Sequence, residues 1–255
     1  MQVEILGAHM TEIADAKSTS LLIDDVLALD AGSLCSSLSL PAQQGLEAIL
    51  LTHHHYDHIR DIPTLAMNLS QQGSIDIYST APTFEALSTH LLDGEIYPNF
   101  LKWPEHRPAL RFVTLQPYQP ENVAGYEVLA LPVPHAVPSV GFQVTSPDGK
   151  KVFYTGDTGV GLSACWEYVF PHLLITELTM PQSMEALARK ATHLTPQLLK
   201  AELLQLRRVR GHIPATILIH LDPSHESQIE EEVAEVAREL EASITLGHEG
   251  MKVNL

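Results

Sequence analysis

The sequence has few cysteines and no long apolar run, and both absences exclude classes of protein. Cys35 and Cys165 are the only cysteines among 255 residues, so a disulfide framework is excluded and a reducing cytoplasm is the expected compartment. Apolar runs such as Leu27–Leu29 and Ala48–Leu51 are far shorter than the ~20 residues that cross a bilayer. The first residues show neither a basic region nor a long apolar core, so no signal peptide and no membrane contact are predicted.

Basic residues are also scarce. The chain has 15 lysines and arginines against 31 acidic residues, which gives a formal charge of −16 at pH 7. Proteins that bind long nucleic acids tightly present a basic surface, so a small-molecule substrate is expected here. Histidine is abundant, with 14 residues, and 45% of the chain is hydrophobic. That hydrophobic fraction is typical of a globular protein and excludes extensive disorder.

Predicted strands and helices alternate along the chain, which is the pattern of an α/β protein. One domain over residues 1–255 is predicted, with two sheets and helices outside them. Strands are predicted at Val3–Leu6, Leu21–Asp30 (two strands around an Asp24-Asp25 turn), Ala48–Leu51, Ile75–Tyr78, Tyr126–Leu131, Gly141–Thr145, Lys151–Thr155, His172–Thr176 and Thr216–Ile219. Helices are predicted at Ile59–Leu69, Pro82–Leu92, Thr195–Leu206 and Glu226–Leu240.

The segment at about 95–120 contains several prolines among aromatic and basic residues, and we predict an irregular insertion or lid there. Its side chains could stack on a base or neutralise a phosphate. Packing in the core or a contact in a homodimer is the favoured alternative for them. The residues concerned are Tyr97, Phe100, Trp103, Arg107 and Arg111.

The densest group of candidate ligands is the run Thr-His-His-His-Tyr-Asp-His from Thr52 to His58, directly after an apolar strand. His53 and His55 are two residues apart, so in an extended chain their side chains point to the same side. Asp57 and His58 follow where the chain turns into a helix, and they can point to a second position nearby. Four N and O ligands at one strand end suit two closely spaced divalent metal ions. A solvent-exposed loop that happens to be rich in histidine is the alternative.

The spacing His-x-His-x-Asp-His resembles the hallmark motif of the metallo-β-lactamase superfamily. Three further residues resemble the later ligands of that superfamily in the expected order, and each follows an apolar strand: His135, Asp157 and His220. The resemblance implies an αββα sandwich, in which two mixed β-sheets carry helices on their outer faces. It also implies that the metal centre lies where the loops after several strands meet.

The resemblance assigns ligands to two metal ions that share one carboxylate. The first ion would be bound by His53, His55, His135 and Asp157, and the second by Asp57, His58, Asp157 and His220. Imidazoles with few carboxylates and no thiolate favour Zn²⁺, with Mn²⁺ or Fe²⁺ as alternatives. Cys165 is not at a ligand position, which disfavours the β-lactamase subgroup that uses a cysteine.

Two other residues resemble a narrower group, ribonuclease Z and the class II cyclic-nucleotide phosphodiesterases. Glu177 follows a strand, and His193 stands in the sequence His-Leu-Thr-Pro before a helix. The resemblance implies that His193, oriented by Glu177, protonates the leaving alkoxide, while Asp57 orients a metal-bound hydroxide that attacks phosphorus. Tyr56 and Asp61 depart from the family pattern, which leaves the identity of the substrate open.

The expected function is therefore metal-dependent cleavage of a cyclic nucleotide or a related small phosphodiester. Hydrolysis of a thioester, lactone or lactam on the same scaffold is one alternative. A ribonuclease Z-like RNA 3′-end nuclease is another, although the long basic arm of those enzymes is not visible in the sequence. A metal-stabilised subunit without catalysis is a third alternative, which seven filled ligand positions disfavour.

Overall fold

Two β-sheets of seven strands each lie face to face in a computed structural model that describes residues 1–255. The strands are β1 Gln2–Gly7, β2 Ser20–Ile23, β3 Leu27–Leu29, β4 Ala48–Leu50, β5 Ile75–Ser79, β6 Leu110–Thr114, β7 Pro120–Val123, β8 Tyr126–Val133, β9 Ser139–Thr145, β10 Lys151–Tyr154, β11 Leu173–Glu177, β12 Ala215–Ile219, β13 Ile244–Leu246 and β14 Lys252–Asn254.

Nine α-helices connect and flank these strands. They are α1 Leu34–Ser37, α2 Leu40–Gln44, α3 Tyr56–Ile59, α4 Ile62–Leu69, α5 Ala81–Ala86, α6 Ser163–Trp166, α7 Glu185–Ala191, α8 Pro196–Arg210 and α9 Glu226–Leu240. A π-helical turn at Leu87–Leu91 continues α5, and a 3₁₀ turn at Gln182–Met184 precedes α7. No helix of the chain is both long enough and apolar enough to cross a membrane.

Both sheets are mixed. The first has the order β14-β1-β2-β3-β4-β5-β6, antiparallel from β14 to β3 and parallel from β3 to β6. The second has the order β13-β12-β11-β10-β9-β8-β7, parallel from β13 to β10 and antiparallel from β10 to β7. The parallel strands β10, β11 and β12 therefore end at one edge of the second sheet.

Three apolar layers hold the two sheets and the helices together. The central layer joins the inner faces of the sheets, with Ile5 and Leu50 on one side and Phe142 and Ile175 on the other. A second layer packs α8 and α9 on the outer face of the second sheet, and a third packs α4 on the first sheet. Each fully buried aliphatic or aromatic side chain contributes about 1.5–3 kcal/mol. The predicted αββα sandwich is confirmed.

Local sequence signals account for several element ends. Asp24 and Asp25 have φ of 47° and 61°, the left-handed geometry of the central residues of the turn between β2 and β3, in which Val26 N–H donates to the Ile23 carbonyl oxygen. Helix α8 begins at Pro196 after Thr195 and ends before Gly211, whose φ is 83°, as helix caps do. Helix α9 buries its predicted apolar stripe, which includes Val233.

Most of the predicted elements are confirmed, and three predictions need correction. The helix predicted at Ile59–Leu69 is two helices, α3 and α4, and the one predicted at Pro82–Leu92 ends in a π-helical turn. The segment predicted to be irregular at about 95–120 contains β6, an edge strand that pairs with β5 in parallel. The short strands β7, β13 and β14 were not predicted, because three or four residues are too few to establish a period of two.

Two side chains of that segment have structural roles. Phe100 is fully buried in the third apolar layer, so the prediction that it could stack on a base is wrong. The Arg111 Nε lies 2.6 Å from Asp76 Oδ1 on the neighbouring strand β5. The favoured alternative, packing in the core, holds for Phe100, whereas Arg111 is exposed and pairs with Asp76 at the surface.

Candidate metal centre

The predicted site residues come together at the ends of strands from both sheets. His53 follows β4, Asp157 follows β10, Glu177 is the last residue of β11, and His220 follows β12 directly. His135 lies two residues beyond β8, and His193 lies between α7 and α8. Each strand is anchored in the apolar layers, so the loops after the strands hold these side chains in one place.

Seven of these side chains form two groups that meet at Asp157. Within each group the candidate ligand atoms lie within 4.8 Å of one another. The first group contains His53, His55, His135 and Asp157, and the second contains Asp57, His58, Asp157 and His220. The structure thus places all seven residues in the two sets that the resemblance implies.

Distances between the carboxylates and the imidazoles show how closely the second group is packed. Asp157 Oδ1 lies 3.1 Å from His58 Nε2, and Asp157 Oδ2 lies 3.3 Å from His220 Nε2. Asp57 Oδ2 lies 3.0 Å from the same His220 nitrogen. In the first group, His135 Nε2 lies 3.1 Å from His55 Nδ1 and 3.8 Å from Asp157 Oδ2.

Hydrogen bonds at Nδ1 fix the orientation of four of the five imidazoles. The Nδ1 of His58 lies 2.7 Å from Asp30 Oδ2, and the Nδ1 of His135 lies 3.2 Å from the Thr192 carbonyl oxygen. Because these oxygens only accept, Nδ1 carries a proton and Nε2 faces the centre. The other two are His53, whose Nδ1 is 3.0 Å from the Thr52 hydroxyl, and His220, whose Nδ1 is 2.8 Å from the Thr179 hydroxyl.

Several buried ligand atoms have no hydrogen-bond partner, which tests whether metal ions fit the site. His53 Nε2, His58 Nε2 and Asp157 Oδ1 are buried and make no hydrogen bond of acceptable geometry. Unpaired buried polar atoms are rare in native proteins, and all three atoms belong to the two groups. The ligand atoms are imidazole nitrogens and carboxylate oxygens within 4.8 Å of one another, with no thiolate, and such a set fits divalent ions such as Zn²⁺.

Without metal ions, the charged groups of the centre compensate one another. Burial opposes ionisation of Asp157, yet His220 and His58 hold its pKa well below its ordinary value. Burial lowers the pKa of His58, but the carboxylates of Asp157 and Asp30 raise it well above 6.5. Burial and the neighbouring His58 lower the pKa of His53 well below 6.5. Divalent cations would replace the proton on His58 Nε2 as the partner of these carboxylates.

Asp30 lies beneath the centre, and the sequence analysis did not identify it. It is completely buried, and its carboxylate accepts hydrogen bonds from Thr52 N at 2.8 Å, Thr52 Oγ1 at 2.9 Å, Tyr154 OH at 2.7 Å and His58 Nδ1 at 2.7 Å. Its φ is 57°, which is uncommon for a residue other than glycine. In the sequence, an Asp between Leu29 and Ala31 cannot be distinguished from an ordinary turn residue.

Glu177 and His193 form a buried pair beside the second group. Glu177 Oε1 lies 2.7 Å from His193 Nδ1, and the Thr179 hydroxyl, which accepts from His220, donates to Glu177 Oε2 at 2.8 Å. The His193 ring stacks on the His220 ring, with their centroids 5.3 Å apart. Burial lowers the pKa of His193, but Glu177 raises it more, to about 9. His193 therefore carries a proton beside the second group in the metal-free protein.

A cavity of about 640 Å³ opens beside His135. Its walls come from the loops after β5, β6 and β8 and from the start of β9. The lining residues include Thr80, Ala81, Pro82, Gln116, Pro117 and the segment from Pro132 to Val140. His135 belongs to both the cavity lining and the first metal group, so the cavity adjoins the centre at this residue.

Known proteins resemble the chain in sequence family and in fold. The sequence profile of a family described as "Beta-lactamase superfamily domain" matches residues 19–246. Yeast PDE1 has a similar structure, with a TM-score of 0.84 and 17% identity over 100% of this chain and 99% of that chain. No curated protein sequence matches the chain significantly.

Two further solved structures share the fold. The metallo-beta-lactamase fold protein YhfI from Bacillus subtilis has a TM-score of 0.76 and 19% identity, over 99% of this chain and 98% of that chain. The short form of human tRNase Z has a TM-score of 0.71 and 18% identity, over 100% and 99%. At these identities the likeness shows the fold, and the choice of substrate must come from the site.

Proposed function

The chain belongs to the beta-lactamase superfamily, whose members are metal-dependent hydrolases, and we propose that it is a two-metal phosphodiesterase for a small phosphodiester such as a cyclic nucleotide. Two Zn²⁺ ions bound by His53, His55, Asp57, His58, His135, Asp157 and His220 would form its centre. Divalent ions in such a centre supply Lewis acidity and a nucleophile at neutral pH. Mn²⁺ or Fe²⁺ would suit the same ligands.

The observation that carries the proposal is the Glu177–His193 pair next to the second metal group. His193 Nδ1–H donates to Glu177 at 2.7 Å, so the ring is held with Nε2 free to donate a proton to a leaving oxygen. An alkoxide leaving from phosphorus needs that proton, because it is a strong base. A thioester releases a thiolate, a weaker base that leaves without a proton, and the pair resembles the one in ribonuclease Z and the class II cyclic-nucleotide phosphodiesterases, which is why we favour a phosphodiester.

Three residues have separate roles in this proposal. Asp57 lies in the second group, 3.0 Å from His220, where its free carboxylate oxygen can accept a proton from the nucleophile and orient it. His193 donates a proton to the leaving oxygen. Glu177 holds the charged imidazole in place and accepts backbone N–H bonds from Thr158 and Leu194, so the pair is fixed to two loops.

The test is a comparison of substrates by the metal-loaded protein. Purified protein reconstituted with Zn²⁺, Mn²⁺ or Fe²⁺ would be offered cyclic nucleotides, RNA with a 3′ extension, a thioester and a lactone. We expect the highest kcat/KM for a cyclic nucleotide or another small diester. A thioester or lactone that exceeds every diester by tenfold or more would instead identify the alternative hydrolase, and a preference for the RNA would identify the nuclease.

Variants separate the proton donor from the metal centre. His193→Ala should lower kcat for the diester by about 10²–10⁴-fold while the protein still binds its full complement of metal. His106→Ala, which removes an exposed histidine that belongs to neither metal group, is the matched control and should change neither quantity. Loss of metal in His193→Ala would show that this residue is a ligand and not the proton donor.

A further inference from the structure

His9 is a buried histidine outside the two metal groups, and carboxylates face both nitrogens of its ring. It follows β1 and is 3% exposed. Its Nδ1 lies 2.8 Å from Glu249 Oε1, and its Nε2 lies 3.3 Å from Glu226 Oε2. Because a carboxylate only accepts hydrogen bonds, both ring nitrogens carry a proton in this arrangement. The ring is therefore an imidazolium that bridges the start of α9 and the segment after β13.

The other charged groups on the segments around His9 have partners of their own. Burial lowers the pKa of His9, but the carboxylates of Glu249 and Glu226 raise it more, to above 6.5. The exposed His248 directs its Nδ1 to the Glu249 carbonyl oxygen, 3.1 Å away. The remaining pairs are Lys17 with Ser36 and Ser37, Asp222 with His225, and Glu12 with Arg60.

The backbone on either side of His9 holds the residue that follows a metal ligand. Leu221 N–H donates to the Ala8 carbonyl oxygen at 3.0 Å, and Met10 N–H donates to the Leu221 carbonyl oxygen at 3.1 Å. His220 has a φ of 62°, which is uncommon for a residue other than glycine and persists where neighbouring contacts hold it. The two bonds to Leu221 are such contacts, so they support the conformation of His220.

The loop that follows His9 reaches two other ligands of the second metal group. Residues 11–15 are exposed, and the Glu12 carboxylate forms an ion pair with Arg60. Arg60 directly follows α3, the helix that carries Asp57 and His58. The loop thus connects two of the three parts of the chain that supply the second metal group.

We propose that His9 is a positioning residue for the second metal ion, because its bridge to Glu249 and Glu226 holds the loop after β1 against Leu221 and thereby keeps His220 in its ligand position. A neutral ring would turn a lone pair toward one of the two carboxylates, and the bridge would loosen. Binding of the second ion should therefore depend on the charge of His9, and binding of the first ion should not. The inference rests on the two-metal centre of the proposed function but not on the substrate.

Metal titration of two single-site proteins tests the inference without any substrate. His53→Ala removes a ligand of the first group and leaves the second intact, and Asp57→Ala does the reverse. Competition with a chromophoric chelator then measures the Zn²⁺ affinity of the remaining site. Adding His9→Gln should lower this affinity about tenfold in the His53→Ala protein and by less than about threefold in the Asp57→Ala protein.

The pH dependence of the affinity distinguishes a charged bridge from simple packing. A group whose pKa is raised by folding contributes fully below its unfolded value, 6.5 for His9, and this contribution is lost as the pH rises through the folded pKa. In the His53→Ala protein, the loss of affinity caused by His9→Gln should be about tenfold at pH 6 and should shrink as the pH is raised. If His9 only fills space, the loss will be the same at every pH.

A milder variant and a control accompany this comparison. Glu226→Gln removes one carboxylate from the bridge at a side chain that is 43% exposed, so it should not prevent folding. It should lower the affinity of the second site by about two- to fivefold, the worth of a partly exposed ion pair. His248→Gln removes the exposed histidine next to Glu249 and should leave both affinities unchanged.

The outcomes separate failure of this inference from failure of the proposed function. An equal loss of affinity in both single-site proteins, no loss in either, or a loss that does not vary with pH would overturn the inference. If His9→Gln does not fold, an unchanged second-site affinity in Glu226→Gln would overturn it. If the metal results hold but no diester is cleaved, only the proposed function is lost. Absence of Zn²⁺ binding by the native protein would overturn the two-metal centre and this inference with it.

Discussion

Replacing Asp30 with asparagine keeps the side-chain shape but removes a charge from the buried network beneath the metal centre. The carboxylate accepts hydrogen bonds on both oxygens, from a backbone N–H, an imidazole N–H and two hydroxyls. An asparagine must place its NH₂ group against at least one of these donors. The orientation that keeps the Thr52 N–H paired faces the NH₂ group toward His58 Nδ1–H, 2.7 Å away in the native protein.

The magnitude follows from the bonds that are lost. One or two charge-assisted hydrogen bonds are worth about 1.5–3 kcal/mol each, and an unpaired buried donor adds to the cost. Removing a buried, desolvated charge offsets part of the loss. We therefore expect Asp30→Asn to lower the free energy of unfolding by about 2–4 kcal/mol. Because His58 loses the partner that fixes its tautomer, metal affinity should fall by about 10–100-fold.

Urea unfolding of the metal-free protein measures the first quantity, and competition with a chelator of known affinity measures the second. Tyr154→Phe is the matched control, because it removes one donor from the same carboxylate and leaves the His58 bond intact. It should cost about 1 kcal/mol and change metal affinity by less than about threefold. If Asp30→Asn binds metal as tightly as the native protein, Asp30 does not orient His58 as argued.

Two further predictions concern close packing and pH. A Cβ at Gly32 would lie 2.0 Å from the Asp57 carbonyl oxygen, so Gly32→Ala should displace the ligand loop and reduce the metal bound per chain. The pKa of Glu249 falls from 4.5 to about 2: burial raises it, and hydrogen bonding to His9 lowers it more. Its stabilisation, about 1–2 kcal/mol for a half-buried group, is therefore complete above pH 4.5 and is lost as the pH falls toward 2. Glu249→Gln should be less stable than the native protein at pH 6, and its free energy of unfolding should fall less steeply as the pH is lowered.

Specific results would contradict each of these two predictions. Full metal binding by Gly32→Ala would mean that the loop can shift without affecting the centre. For Glu249, the contrary result is a free energy of unfolding that falls as steeply with decreasing pH in Glu249→Gln as in the native protein. Gly73→Ala is the control for Gly32→Ala, because a Cβ at Gly73 would have no other atom within 4 Å.

The sequence predicts the long, periodic elements of this fold and the residues whose spacing is distinctive. Helix α9 lies at the predicted residues, because its apolar stripe at Ile229, Val233, Val236 and Leu240 spans the whole helix. The motif from His53 to His58 is dense enough to indicate metal ions without any structure. Here local pattern and tertiary structure agree.

Other parts of the site are set by contacts that are distant in sequence. Asp30 and Tyr154 meet across the two sheets, 124 positions apart, and no local pattern marks either of them. Thr52 and Thr179 orient imidazoles through hydroxyls, yet in the sequence each is one threonine among many. Phe100 lies in a proline-rich stretch that reads as a loop, and its burial depends on packing against the first sheet.

The dependence of the rate on the leaving group tests the central claim most directly. Metal-loaded native protein and His193→Ala would be compared on diesters that release either an alkoxide or p-nitrophenolate, which leaves without protonation. If His193 protonates the leaving oxygen, the variant should lose about 10²–10⁴-fold in kcat/KM on the alkoxide ester and less than about tenfold on the nitrophenyl ester. An equal loss on both esters, or no loss on either, would contradict the assignment of His193 as the proton donor of a phosphodiesterase.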